Sequence, residues 1–378
     1  MLRRPAAALL ATALIALSAS AGVAAASPQH APATIGGPLL ASDGVIVDAG
    51  PEAPSLPAPS DLPAASWLVA NLTTGQILAA KAPHERFLPA STLKMLTAAT
   101  LIPRLNPDAM FRVSYHDEVV DGTKAGLTVG MHYKISTLFQ CMLEMSANDA
   151  AEALAEAYGG VKETLRAMND EARVLQANDT HADTPSGLDG PGETTSAYDL
   201  ALMAQADFGI PAFRHYITQL STNIPAAHHK HFQIQSHNNL LYYYKGDVGG
   251  KNGYTVAADA TYVGAATRHG QTIVVSLMHA YPRWWPTAAK LLDWGFKANG
   301  KVTPVGQLVQ PIPPAPLPVT HAAADVAPTA AIGTTHRTNN APLIETLAVM
   351  VTAFGAGMTA VRRIIPRRRK SSLSLPPI

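Results

Sequence analysis

The chain has 378 residues, 47% of them hydrophobic, enough for a buried core in one large domain or two ordinary ones. Its 28 lysines and arginines against 27 aspartates and glutamates leave a net charge of +1, which excludes the long-range field that draws a protein to nucleic acid. The single cysteine, Cys141, excludes an intramolecular disulfide framework and a cysteine-rich zinc site and is expected as a buried structural thiol.

Residues 1–26 place Arg3 and Arg4 ahead of an apolar stretch from Ala6 to about Leu17 and a small-residue run ending Val23-Ala24-Ala25-Ala26. That is the layout of a secretory signal peptide, so the chain is expected to be exported. Residues 27–63 contain many Ala, Pro and Gly without periodicity and read as an extended leader. A folded domain is expected over 64–298. It opens with two apolar runs, Ala65 to Asn71 and Ile77 to Ala80, joined by the hairpin signal Thr73-Thr74-Gly75-Gln76. Pro89-Ala90-Ser91 then begins a stretch of helix formers through about Ile102, which sets Ser91 at a helix N-terminus.

Helical patterns follow over Ile135 to Met145 and Asp149 to Tyr158, interrupted at Ser146-Ala147-Asn148, where small polar residues favour a cap or turn. Val161 to Leu175 predicts another helix, Thr184 to Gly192 a long loop, and Tyr198 to Asp207 a further helix. Ala260 to Thr267 and Thr272 to Ala280 form a second hairpin pattern, and Trp284 to Phe296 a closing helix. Strands at both ends with helices between predict an α+β fold, an antiparallel sheet whose first and last strands meet under a cover of helices. Residues 299–341, rich in Pro and Ala, read as a semi-rigid linker. Pro342 to Val361 has the length and apolarity of one transmembrane helix, with Glu345 near its start, and Arg362 and Arg363 close it. By the positive-inside bias the basic tail, 362–378, stays cytoplasmic and everything before the helix lies outside.

A serine hydroxyl attacks only when a base takes its proton, and a lysine at i+3 lies beside it on the same helix face. Ser91-Thr92-Leu93-Lys94 supplies that pair. The lysine acts as a base only if burial or a second cation lowers its pKa, a condition that Lys251 in a shared cleft helps to meet. Between helices, the Ser146 hydroxyl is placed to relay a proton to a leaving group and the Asn148 amide to hold a peptide carbonyl. Lys251-Asn252-Gly253-Tyr254-Thr255 heads the closing strand pair: the lysine adds positive potential, Gly253 admits substrate to the backbone, and Thr255 offers a hydroxyl to an anion.

The order Ser-x-x-Lys, Ser-x-Asn, Lys-x-Gly resembles that of the penicillin-recognising serine enzymes. Within them, Pro89-Ala90-Ser91-Thr92-Leu93-Lys94, Ser146-Ala147-Asn148-Asp149, Thr184-Pro185-Ser186-Gly187-Leu188, Asn239-Leu240-Leu241 and Gly250 to Thr255 look like the low-molecular-weight D-alanyl-D-alanine carboxypeptidases, over about residues 60 to 298. The resemblance implies a β-lactamase/transpeptidase-like fold with a helical subdomain, a peptidoglycan stem peptide as substrate and covalent inhibition by β-lactams. It implies that Ser91 attacks the carbonyl of the penultimate D-alanine, that Lys94 accepts its proton, and that the N–H groups of Ser91 and Tyr254 form an oxyanion hole. Ser146 with Lys251 would protonate the leaving amine, and Asn148 would position substrate. The departing carboxylate would lie near Lys251, Thr255 and Arg283.

Asn252 departs from the family, which usually carries Thr or Ser there to contact that carboxylate. No counterpart of the Glu-x-x-Leu-Asn segment of class A β-lactamases is found, since Glu193-Thr194-Thr195-Ser196 does not match it. Endopeptidase, transpeptidase or β-lactamase activity and a non-catalytic cell-wall-binding role remain as alternatives. His228-His229-Lys230-His231 reads as a surface loop, because neither helical spacing nor a carboxylate makes it a metal site. Trp284-Trp285, next to Arg283, and Tyr242-Tyr243-Tyr244 read as packing, and Asp189 as a turn residue. No cofactor or metal is expected.

Overall fold

The computed structural model describes residues 34–313, apart from positions 229, 282 and 283. Strand β1 (Val45–Ile46) precedes β2 (Ala64–Asn71) and β3 (Gln76–Lys81), and a 3-10 turn over Ala90–Leu93 runs directly into helix α1 (Lys94–Leu101). The pair β4 (Met110–Arg112) and β5 (His132–Lys134) brackets the one-turn α2 (Tyr115–Glu118). Helices α3 (Ile135–Glu144), α4 (Asn148–Tyr158), α5 (Val161–Val174), α6 (Ala197–Asp207) and α7 (Pro211–Ile217) follow. The hairpin β6 (Ser221–Ala226) and β7 (Lys230–Gln235) leads to the short α8 (Asn239–Tyr243). Three long strands, β8 (Asp247–Thr255), β9 (Asp259–Arg268) and β10 (Gln271–Ala280), then precede α9 (Trp284–Ala298) and β11 (Gly306–Gln307).

The main sheet is antiparallel in the order β1-β3-β2-β10-β9-β8, with β11 also against β3. Its first long strand, β2, pairs with its last, β10, as the sequence predicts. Successive side chains alternate between faces, and here both faces are covered. Leu68, Ala70, Val263 and Val274 join the core under α1, α3, α4 and α6, while Trp67, Val69, Tyr262 and Val275 join the core under α9. Tyr262 stacks on Trp284 with ring centroids 4.2 Å apart. Helix α9 approaches closely at Gly295, where a Cβ would meet Ile273 Cγ2 at 2.8 Å and Val69 Cγ1 at 2.9 Å. Each fully buried aliphatic or aromatic side chain contributes about 1.5–3 kcal/mol, so Leu68→Ala, which also leaves a cavity, costs about 2–5 kcal/mol. Cys141 is buried in α3, and burial holds its thiol protonated.

Three expectations are corrected. The leader is not extended from residue 34 onward: β1 pairs with β3, Leu40, Ile46 and Leu62 are buried, and Trp294 Nε1 donates to Pro54 O at 3.0 Å. The linker likewise begins later than residue 299, because β11 pairs with β3 and Val302, Val305 and Leu308 are buried. In both stretches isolated apolar residues cap the sheet edge without a period that a sequence pattern would reveal. The Lys251–Thr255 segment does not merely head the closing hairpin but lies within a strand of its own, β8, at the sheet edge. No helix among the described residues is long and apolar enough to cross a membrane. The expected signal peptide, the 342–361 helix and the basic tail lie outside the described residues.

Candidate active site

The turn before α1 sets the position of Ser91. Ala90 has φ +46°, a left-handed conformation that costs a residue with a Cβ on the order of 1–3 kcal/mol and persists only where its surroundings enforce it. Thr92 Oγ1 and, from β9, Thr261 Oγ1 both donate to Pro89 O, at 2.6 and 2.7 Å. Gly187 closes over the turn from the other side; a Cβ there would fall 1.9 Å from Ala90 O, and its φ of +79° already favours glycine. Because positions i and i+3 eclipse in a 3-10 turn, Ser91 and Lys94 face the same way. Lys94 Nζ lies 2.9 Å from Ser91 Oγ.

Lys94 is fully buried, and its Nζ also reaches Asn148 Oδ1 at 2.7 Å and Ser186 O at 2.6 Å. Burial first, and then the charge of Lys251, hold its pKa well below the ordinary lysine range. A neutral amine has two hydrogens and a lone pair. Asn148 Oδ1 and Ser186 O are acceptors only, so they take both hydrogens and leave the lone pair for the Ser91 hydroxyl. A neutral Lys94 amine would thereby face Ser91 Oγ with its lone pair.

Ser146 and Asn148 come from the junction of α3 and α4. Ser146 is buried with φ +69°, a second residue held in the left-handed region, two positions before Asn148. Asn148 is more constrained than a substrate-holding amide: besides accepting from Lys94, it donates through Nδ2 to Asp121 O at 2.7 Å. Its neighbour Asp149 accepts from Ala125, Gly126 and Leu127 N–H at 2.9, 2.9 and 3.0 Å, which fixes the loop that carries Asp121.

Strand β8 lines the other wall. Lys251 is buried, its pKa lowered to about 7 by burial, and its Nζ donates to Asn252 O at 2.6 Å. Asn252 stands opposite Tyr262 on β9 and Tyr254 opposite Ala260. Gly253 allows the close approach: a Cβ there would lie 2.7 Å from Ser91 N and 2.9 Å from Ala90 Cβ. The hydroxyl of Thr255 is already engaged, donating to Asp189 Oδ1 at 2.8 Å and accepting from Ala258 N at 3.0 Å. Asp189 is thus more than a turn residue, since it reaches across the cleft mouth.

Ser91, Lys94, Ser146, Asn148, Lys251, Gly253 and Thr255 all belong to segments that converge here, whereas Arg283 lies outside the described residues. Trp284 is core, under the sheet, as its stacking on Tyr262 requires. His228 sits in the β6–β7 turn with φ +60°, and His231 is exposed on β7. Glu193, buried near Lys94, has its pKa raised to about 8 by burial, so it is mostly protonated at neutral pH. Sequence reasoning missed Ser186 O and Asp121 O as partners, because a backbone carbonyl carries no residue-type signal.

Comparison with known proteins gives a consistent result. A family model described as D-alanyl-D-alanine carboxypeptidase, peptidase S11, matches residues 52–281. The chain is 38% identical over 261 residues to D-alanyl-D-alanine carboxypeptidase DacB2 of Mycobacterium tuberculosis, covering 67% of this chain and 89% of that protein. It is 31% identical to DacD of Escherichia coli over 64% of this chain and 65% of the relative, so it spans about two thirds of that protein's length. Among solved structures, a D-alanyl-D-alanine carboxypeptidase from M. tuberculosis superposes with a TM-score of 0.65 at 36% identity, covering 69% of this chain and 99% of its own. The Streptomyces K15 DD-transpeptidase superposes with a TM-score of 0.61 at 27% identity, covering 64% and 99%.

Proposed function

The chain belongs to the D-alanyl-D-alanine carboxypeptidases of peptidase family S11, and on that footing we propose how its own residues remove the terminal D-alanine of a peptidoglycan stem peptide. As a member of that family it is a serine-type hydrolase with a penicillin-recognising fold. Ser91 Oγ attacks the carbonyl carbon of the penultimate D-alanine while Lys94 takes the hydroxyl proton. The N–H groups of Ser91 and Tyr254 receive the oxyanion, a contribution worth about 10²–10³ in rate per donor in comparable sites. Collapse breaks the peptide bond. The leaving nitrogen gains a proton through Ser146 and Lys251, D-alanine departs, and water then hydrolyses the ester on Ser91. A β-lactam carbonyl meets the same nucleophile, with the opened ring remaining tethered.

The observation that carries this reading is the Lys94 amine, buried and 2.9 Å from Ser91 Oγ, with its hydrogens drawn to two other acceptors. Asn148 acts here chiefly by positioning Lys94. Lys251, Thr255, Asn252 and Arg283 are assigned to the substrate carboxylate, with Asn252 offering an amide where the family offers a hydroxyl. The test is D-alanine release from a peptide ending in D-Ala-D-Ala: the parent releases it and Ser91→Ala does not.

Export by residues 1–26 and single-pass anchoring by 342–361, with the domain outside and 362–378 inside, belong to the same proposal. Arg3 and Arg4 before an apolar run, and Arg362 and Arg363 after another, support it. Recovery of the full-length protein from the soluble rather than the membrane fraction would refute the anchor.

A further inference from the structure

The face of the sheet that packs under α9 carries a recess that the mechanism leaves unused. Its floor is set by register: Lys81 on β3 stands opposite Val45 on β1 and Trp67 on β2, so the three side chains share one face. Trp67 belongs to the core under α9, whereas Leu93 and Met95, which flank Lys94, belong to the core on the other face. The segment from Pro54 to Leu62 roofs the row. Trp294 Nε1 pins it at one end by donating to Pro54 O, and the Lys290–Asp61 ion pair at 2.7 Å pins it at the other. Between floor and roof lies a recess of about 390 Å³, walled by Val45, Leu56, Pro57, Leu62 and Trp67. That volume falls within the roughly 300–1,000 Å³ of small-molecule sites, whose walls are mostly apolar with few polar groups.

Lys81 is the one charged residue in the lining. Its Nζ donates to Ala64 O at 3.0 Å, which sets the ammonium at the end of the recess where the roof joins β2. That is its only hydrogen bond among the described residues, and no carboxylate there pairs with it. An ammonium has three N–H donors, so two remain for a ligand. A cation at the end of an apolar recess is matched by a molecule with an apolar body and one anionic end. Two free donors suit the two oxygens of a carboxylate.

We propose that this recess is a second binding site, separate from the catalytic cleft, for a short aliphatic carboxylate. The carboxylate would sit on the Lys81 ammonium, while the chain lies along Trp67 beneath Leu56 and Leu62.

The test compares three probes that share one aliphatic chain and differ in the head group: octanoate, octanol and octylammonium. Each is titrated calorimetrically into the full-length protein in zwitterionic nanodiscs, with the heat of empty discs subtracted. Octanoate should bind about tenfold or more tightly than octanol, the scale of one charge-assisted contact, and octylammonium most weakly. Octanoate should also slow acetylation of Lys81 several-fold, read by peptide mapping, and leave the exposed Lys245 unprotected. In Lys81→Met the preference for octanoate over octanol should disappear. Equal affinity of the parent for octanoate and octanol, unchanged Lys81 acetylation with octanoate bound, or an undiminished octanoate preference in K81M would each overturn the site. The head-group comparison and the acetylation both use the parent, so they decide even where K81M misfolds.

Discussion

Asn148 Oδ1 lies 2.7 Å from Lys94 Nζ, and the same amide is braced by its own donation to Asp121 O. The contact orients the amine without charging it, which a neutral amide does and a carboxylate would not. Asn148→Asp keeps the shape but sets a negative charge beside Lys94, which favours the ammonium and raises its pKa. Acylation by a penicillin should fall at neutral pH by on the order of 100-fold, within the usual range for general-base catalysis. The acidic limb of its pH profile should move to higher pH. Stopped-flow acylation across pH checks both, and an unshifted limb would remove Lys94 as the base.

Gly253 is the second place where one atom decides. A Cβ 2.7 Å from Ser91 N would crowd the proposed oxyanion position. Gly253→Ala should reduce acylation about 10²–10³-fold, the scale of a lost oxyanion donor, and cost about 1–3 kcal/mol of stability from overpacking. Acylation rates and thermal unfolding, measured on the same preparation, separate the two effects.

The Asp189–Thr255 hydrogen bond places a carboxylate at the end of the cleft assigned to the departing D-alanine carboxylate. Two anions there repel. Asp189→Asn keeps an acceptor for Thr255 and removes the charge, so KM for a D-Ala-D-Ala peptide should fall several-fold with kcat nearly unchanged, as expected for charges a few ångströms apart in a partly wet site. Steady-state kinetics at low salt would show it, and a rise in KM would mean that Asp189 binds substrate.

Glu193 links the site to stability. Its pKa is raised by burial from 4.5 to about 8, so the folded state holds a proton there that the unfolded state has lost. The stability this contributes is full below about pH 4.5 and is lost as pH rises through 8. Glu193→Gln removes the titration. Its stability relative to the parent should therefore increase from pH 5 to pH 9, which chemical denaturation at several pH values measures.

Much of this was readable from residue types. The long strands β2, β9 and β10 announced themselves through apolar runs, and α3, α4 and α5 through helical periodicity, because burial of a face imposes a period. Strand β8 did not: Gly249, Gly250 and Gly253 have low strand propensity, and they are there because Gly250 meets Gly264 and Tyr262, and Gly253 meets Ser91, too closely for a side chain. The edge segments around Leu40 and Val305 were also hidden, since single apolar residues among Pro and Ala leave no pattern. Ser91, Lys94 and Lys251 were legible as chemistry. The Asn148–Lys94 contact and the reach of Asp189 to Thr255 were not, because both depend on where loops distant in sequence come to rest.

With Ser91 as nucleophile and Lys94 as its base, a penicillin becomes attached at one hydroxyl and only while both side chains are present. The most direct measurement is intact-mass analysis with peptide mapping after incubation with a penicillin, on the parent, Ser91→Ala and Lys94→Met. One acyl adduct is expected in the parent, located on Ser91, and none in either variant on the same timescale. An adduct on another residue, or one that still forms in Ser91→Ala, would contradict the assignment of Ser91.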